Sequence, residues 1–231
     1  MKIIGTATKW LFALCLPVFL LTASIGWWVN SLWFYEYGFQ KFNVSQTTGL
    51  PASELARAAR GLITYFNSGE EPINVTVAKD GRPFELFNER EVTHLKDVKG
   101  LFRLDYLVFL VTFAYCAGYT AVSFRRGERS RLGLAQAAVW GSGLALALML
   151  AFSVGSLLNF DQLFYQFHLL SFANEFWMLD PTKDYLIMLF PQGFWYSAAL
   201  AIALSAALGA LVLGGLALWY LRRSARRGAG D

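Results

Sequence analysis

The sequence predicts an α-helical membrane protein: four transmembrane helices with a small extracytoplasmic α+β cap. Three observations predict it. Of the 231 residues, 56% are hydrophobic and 16% aromatic, an apolar content that soluble domains rarely reach. Four apolar runs each exceed the ~20 residues that a helix needs to cross the hydrocarbon. Arginine clusters flank these runs in a pattern that orients them.

The first run covers about residues 10–35. It contains Thr22-Ala23-Ser24, a small-residue stretch of the kind signal peptidases cut, but apolar residues continue through Trp27, Trp28, Val29 and Leu32. That is too long for a signal peptide's apolar region, so an uncleaved span is expected. The others cover about residues 104–124, 132–155 and 196–221. Arg125, Arg126, Arg129 and Arg131 fill the loop between spans two and three, Arg222, Arg223, Arg226 and Arg227 follow span four, and Lys2 and Lys9 precede span one. Basic residues in short loops mark the cytoplasmic side. Both termini and the middle loop are therefore expected inside, in a multi-pass protein of the cell membrane. The net charge of +4 is then a topology signal, not a nucleic-acid footprint. Five regions result: residues 1–35, tail and span one; 36–103, the cap; 104–155, spans two and three; 156–195, an aromatic interfacial segment; 196–231, span four and a basic tail.

Within the cap, Leu55, Ala59, Leu62 and Phe66 recur at helical spacing behind Pro51 and Ser53, predicting an amphipathic helix that ends near Asn67-Ser68-Gly69. Ile73, Val75 and Val77 alternate with polar residues as a strand, Asp80-Gly81 makes a hairpin turn, and residues 83–87 return. Asn88 with Glu91 reads as a capping box, opening a helix that runs from Glu89 into span two. The second outer segment is rich in rings, among them Phe160, Phe164, Tyr165, Phe167, Phe172, Phe176 and Trp177. Some belong to an interfacial aromatic belt. Their confinement to one side also suits a floor that grips acyl chains.

Few residues carry chemistry. Cys15 and Cys116 fall inside spans and read as small hydrophobes. Glycines 141, 143, 209, 214 and 215 suggest close helix packing. The spans contain almost no charge, which argues against an ion or solute pathway. The two histidines, His94 and His168, both fall outside the lipid and on the same side, where an imidazole can serve as base and acid near neutral pH. The helical neighbours of His94 include Arg90, Glu91 and Asp97. If residues 160–176 are helical, Asp161, Tyr165, His168 and Glu175 share a face, and the carboxylates would tune His168. No His-x-x-x-His or Cys-x-x-Cys pair exists, so a metal site is a minority reading and no cofactor is expected. On the residues alone, a lipid-directed enzyme competes with a non-enzymatic scaffold or lipid-binding module and with a metal-dependent membrane hydrolase.

The stretches Phe87-Asn-Glu-Arg-Glu-Val-Thr-His94-Leu-Lys-Asp-Val98 and Phe167-His168-Leu-Leu-Ser-Phe172-Ala-Asn174-Glu-Phe-Trp177-Met-Leu-Asp180-Pro181 resemble the bacterial four-pass family of lipoprotein intramolecular transacylase. The resemblance covers nearly the whole chain. It implies a diacylglyceryl lipoprotein as substrate, in contact with membrane lipids, at the extracytoplasmic face. The sn-2 acyl chain would move from the glyceryl group to the α-amino group of the same N-terminal cysteine. His94 and His168 would be the catalytic pair. Asn88, Arg90, Glu91, Asp97, Asp161, Tyr165, Asn174 and Trp177 are the candidate binding or supporting residues around them.

Overall fold

The computed structural model describes residues 2–228, with side chains from Thr6 to Arg227; Lys2, counted among the basic flanks, lies outside the described side chains. The elements follow the order α1 (Lys2–Val29), α2 (Leu32–Lys41), α3 (Val44–Thr48), α4 (Ala52–Asn67), β1 (Thr76–Lys79), β2 (Arg82–Glu85), α5 (Glu89–Arg125), α6 (Glu128–Ser171), α7 (Tyr185–Leu189) and α8 (Gln192–Gly228). Among the described residues, four helices are long and apolar enough to cross a membrane; they lie in Thr6–Val29, Glu89–Arg125, Glu128–Ser171 and Gln192–Arg227. The protein is multi-pass. Two compact units share these helices.

The first unit comprises Met1–Ile25, Asp105–Val154 and Leu200–Asp231. It is built for lipid: large side chains such as Leu107, Leu110, Leu150, Leu208 and Leu216 face outward, while Ala137, Ala145, Ala206 and Ala210 are buried with Phe12, Leu16, Leu20 and Cys116. Lipid tails are as apolar as leucine, so association here depends on close packing of small residues. A Cβ on Gly141 would meet the Ala13 carbonyl oxygen at 2.9 Å, one on Gly209 would meet Leu20 at 2.8 Å, and one on Gly214 would meet Ser142 at 2.9 Å. Gly143 and Gly215 have open space instead, so the expectation of glycine packing holds for three of the five.

The second unit comprises Gly26–Leu104 and Gly155–Ala199. The apolar run expected to reach residue 35 as one span breaks at Asn30-Ser31, where α1 ends and α2 begins. The side chain of Asn30 bonds back to the Gly26 carbonyl at 2.7 Å and the Ser31 carbonyl accepts from Phe34 N–H at 2.9 Å, local bonds that compete with a continuous ladder. Helix α4 is the predicted amphipathic helix, burying Leu55, Ala58, Ala59, Leu62, Tyr65 and Phe66. The hairpin turns at Asp80 (φ 53°) and Gly81 (φ 76°), the two left-handed residues that a tight hairpin needs. The register pairs Thr76 with Glu85 and Lys79 with Arg82. The ladder is shorter than the alternating pattern: Ile73 and Val75 are buried but precede β1. One further cross-strand bond, from the Leu86 N–H to the Val75 carbonyl at 2.9 Å, extends the pairing just past β1 before Leu86 and Phe87 lead into the α5 cap.

That cap is the predicted box. Asn88 Oδ1 accepts from the backbone of Arg90 and Glu91 at 3.0 and 3.1 Å, and Glu91 Oε2 accepts from Asn88 N–H at 2.8 Å. The 37 residues of α5 span ~55 Å at 1.5 Å each, well beyond a ~30 Å hydrocarbon core. Its charged first turns, from Glu89 to Arg103, therefore stand outside the lipid, and His94 with them. Helix α6 also outruns its span: it runs on into the interfacial segment expected from residue 156 and continues to Ser171 across a break at Asn159 (φ −161°, ψ 82°), so the helix weighed for residues 160–176 stops five residues short. Asn159 Oδ1 accepts from Gln162 N–H at 3.0 Å and so caps the final stretch, which carries His168.

Candidate active site

Two helices and one loop of the second unit bring the histidines together. His94, near the start of α5, and His168, one turn before the end of α6, are both buried. Their rings face each other at an interplanar angle of 29°, with centroids 6.2 Å apart. Phe172 packs against both, at 4.9 Å from His94 and 5.5 Å from His168. Phe164 at 4.4 Å, Trp177 at 4.9 Å and Phe167 at 5.4 Å complete the enclosure of His168. Tyr165 stacks edge-on against Trp177 at 5.6 Å.

The hydrogen bonds fix which nitrogen does what. His168 Nδ1 lies 2.7 Å from the Phe164 carbonyl. A carbonyl only accepts, so Nδ1 carries the hydrogen and Nε2 keeps a free lone pair. His94 Nδ1 is buried without a partner among the described residues. Burial lowers the pKa of His94 to about 4, assisted by the neighbouring His168 and opposed by Asp97. Burial also lowers His168, against the raising effect of the Phe164 carbonyl. Both rings are therefore neutral at neutral pH, in surroundings where an unpaired charge is costly.

The supporting residues sort differently from the expectation. Helix α6 ends at Ser171, so Glu175 does not share the face of Asp161, Tyr165 and His168. Asp161 is held by the Gln192 amide, and Arg90 donates to the Glu175 backbone carbonyl at 2.7 Å. The hydrogen-bonding partner of His168 is the Phe164 carbonyl, not a carboxylate. Asn174 donates to Asp97 at 2.8 Å and accepts from Phe176 N–H at 3.1 Å. Asn88 donates to Asp184 at 2.9 Å. Glu91, 1% exposed, accepts from Leu186 N–H at 2.6 Å through its second oxygen; burial raises its pKa against these two backbone bonds. Asp184 also accepts from Asp180 N–H at 2.7 Å.

These bonds fasten the segment after α6 to the first turns of α5 at four points. Fastening matters because a site of this kind needs its groups held to within a fraction of an ångström. The sequence reading missed Asp184 and the roles of Phe164 and Phe172. The aromatic spacing of four on either side of His168 was the available signal for the rings. Among the described residues, no three His, Cys, Asp or Glu side chains gather as metal ligands.

The sequence matches the family described as lipoprotein intramolecular transacylase Lit over residues 10–195. The chain belongs to that family. It is thus an acyltransferase of the membrane, from a family whose substrates are lipoproteins. The match includes both histidine stretches. An uncharacterised protein of Aquifex aeolicus (strain VF5) is 28% identical over 187 residues, covering 78% of this chain and 80% of its own length. The fold is that of the membrane-integral lipoprotein intramolecular transacylase Lit from Bacillus cereus, with a TM-score of 0.80 at 20% identity, covering 98% of this chain and 100% of the other. Variants of that protein with one histidine replaced by arginine or by alanine match at a TM-score of 0.76 and 21% identity, covering 98% of this chain and 96% and 97% of theirs.

Proposed function

We propose that this transacylase moves the sn-2 acyl chain of a diacylglyceryl lipoprotein onto the α-amino group of the same N-terminal cysteine, with His168 as the general base and acid and His94 as the donor to the oxyanion. The observation that carries the reading is the facing of two neutral imidazoles, one with its tautomer set by the Phe164 carbonyl. The attacking amine and the ester carbonyl belong to one molecule, so no acyl-enzyme is needed. Holding them together supplies several kcal/mol of barrier reduction, ~7–11 in favourable cases.

The α-ammonium first loses a proton to solvent to reach its nucleophilic form. The amine nitrogen then attacks the ester carbon, and His168 Nε2 takes the second proton as the N–C bond forms. The oxyanion accepts a hydrogen bond from the ring N–H of His94, which as a neutral imidazole is a donor at one nitrogen. The C–O bond to the glyceryl oxygen breaks, and that oxygen receives the proton held on His168. The product is an N-acylated, S-monoacylglyceryl lipoprotein, the lyso form. Charge is created and cancelled within one turnover, which suits a buried pair.

The arginines at 125, 126, 129 and 131, and those at 222, 223, 226 and 227, support cytoplasmic termini and an active site on the extracytoplasmic face.

The test is purified protein with a diacylglyceryl-cysteine lipopeptide. Intramolecular transfer is an isomerisation: the free amine disappears while the mass is unchanged. Loss of an acyl mass would instead indicate hydrolysis, and an unaltered amine would indicate a scaffold.

A further inference from the structure

We infer that a polar cavity beside the histidines, in the same unit, receives the polypeptide of the substrate just after its lipidated cysteine; this deepens the lipoprotein reading and rests on it. The cavity has a volume of about 380 Å³ and its walls include Tyr65, Glu71, Lys96, Asp97, Gly100 and Phe172. Neither histidine lines it, but residues next to them do. Asp97 follows His94 by three residues on α5, and Phe172 touches both rings.

Its chemistry is not that of an acyl-chain slot. Lys96, Lys99 and Arg103 are balanced by Glu70, Glu71 and Asp97 around it. Lys96 is paired with Glu71 at 2.6 Å. Lys99 bonds the Glu70 carbonyl at 2.5 Å and sits over the Tyr65 ring at 3.9 Å. Such a lining offers donors and acceptors without a strong net charge, which matches a main chain of peptide groups. The rings packed on His168 that do not line the cavity are Phe164, Phe167 and Trp177. The substrate has the same two halves, lipid and polypeptide, joined at the reacting cysteine.

Gly100 forms part of the same wall. It lies inside α5, where glycine costs roughly 1 kcal/mol relative to alanine. Yet nothing lies within 4 Å of a Cβ placed there, so no neighbour in the chain requires its smallness. Bare backbone on a cavity wall lets another backbone approach closely.

The experiment compares a diacylglyceryl-cysteine lipopeptide carrying several further residues with diacylglyceryl-cysteine amide, which has none, using wild type and the series Gly100→Ala, Gly100→Leu and Gly100→Trp. All three substitutions favour the helix over glycine and place their Cβ in open space, and a melt verifies that each variant is folded. The wild type is expected to prefer the longer substrate by about tenfold or more in kcat/KM, equivalent to ~1.4 kcal/mol. That ratio should fall stepwise along the series towards one, through KM for the longer substrate. Gly118→Leu, at a glycine with equally open surroundings but in the other unit, should leave the ratio intact. Equal use of both substrates by the wild type, or a ratio unchanged by Gly100→Trp, overturns the peptide cavity while leaving the transacylase reading in place. No transfer on either substrate by the wild type overturns the transacylase reading, and the cavity's role with it.

Discussion

At the scale of single residues, the site is an aromatic enclosure that keeps two imidazoles neutral and close. Removing either should reduce transfer by at least ~10²-fold, the usual worth of positioned acid–base help, while leaving folding intact. Rates of His94→Ala and His168→Ala on a defined lipopeptide check this. The pH dependence follows from the lowered pKa values. A base must be unprotonated, so the rise due to the histidines should lie below the ordinary value of ~6.5. Any further rise towards pH ~8 belongs to the substrate amine. A pH–rate profile with a nonreacting-amine competitor separates the two limbs. Stability carries the same signature. Unfolded His94 takes up a proton near pH ~6.5, whereas in the folded protein its pKa is about 4. Between these values the unfolded chain binds more protons, so stability is full above pH ~6.5 and is lost as pH falls towards 4. The loss should reach roughly 3 kcal/mol. Thermal midpoints in detergent should show this slope, and His94→Gln should flatten it.

At the scale of elements, catalysis depends on how the segment after α6 is fastened to α5. Glu91 is the centre of that joint, accepting backbone N–H groups from Asn88 and Leu186 with its two oxygens. Glu91→Ala leaves the buried Leu186 N–H unpaired and opens the capping box at the partly exposed Asn88 N–H; it should cost on the order of 1–3 kcal/mol, read as a lower thermal midpoint. Packing of the spans offers a paired contrast. A side chain on Gly141 must displace the Ala13 backbone, so Gly141→Leu should destabilise by about 1–3 kcal/mol or more. Gly143, with open space, should accept alanine without loss. Much of this level was legible in the sequence. The capping box at Asn88 and Glu91, the amphipathic α4 and the Asp80-Gly81 turn are local, and local signals survive in a linear reading. The break at Asn30-Ser31 was hidden because apolar residues continue on both sides of it. The extension of α6 beyond its span was half legible: the spacing of Asp161, Tyr165 and His168 suits a helix, but the cap that Asn159 provides and the end at Ser171 are set by local backbone bonds that the spacing does not show.

At the scale of the whole molecule, two composition regimes divide the labour. Segments of small buried residues and large outward ones make the lipid-embedded unit, and segments of mixed charge and aromatic rings make the unit that holds the site. The class, the four spans and the two histidines could be read from the residues. Their meeting could not, because 74 residues of sequence separate His94 from His168 and no spacing rule reaches that far. The partners of His168 were misjudged for the same reason: Asp161 and Glu175 are near in sequence, but the Gln192 amide holds Asp161 and Glu175 lies beyond the end of α6 at Ser171. The most direct test of the central claim is mass spectrometry of a lipoprotein's N-terminal peptide after expression in a bacterium whose lipoproteins lack the lyso form, with wild type beside His94→Ala and His168→Ala. The account predicts one acyl chain on nitrogen and one on the glyceryl group with wild type alone. An unchanged lipid pattern with well-expressed wild type, or the lyso form persisting in either variant, would contradict it.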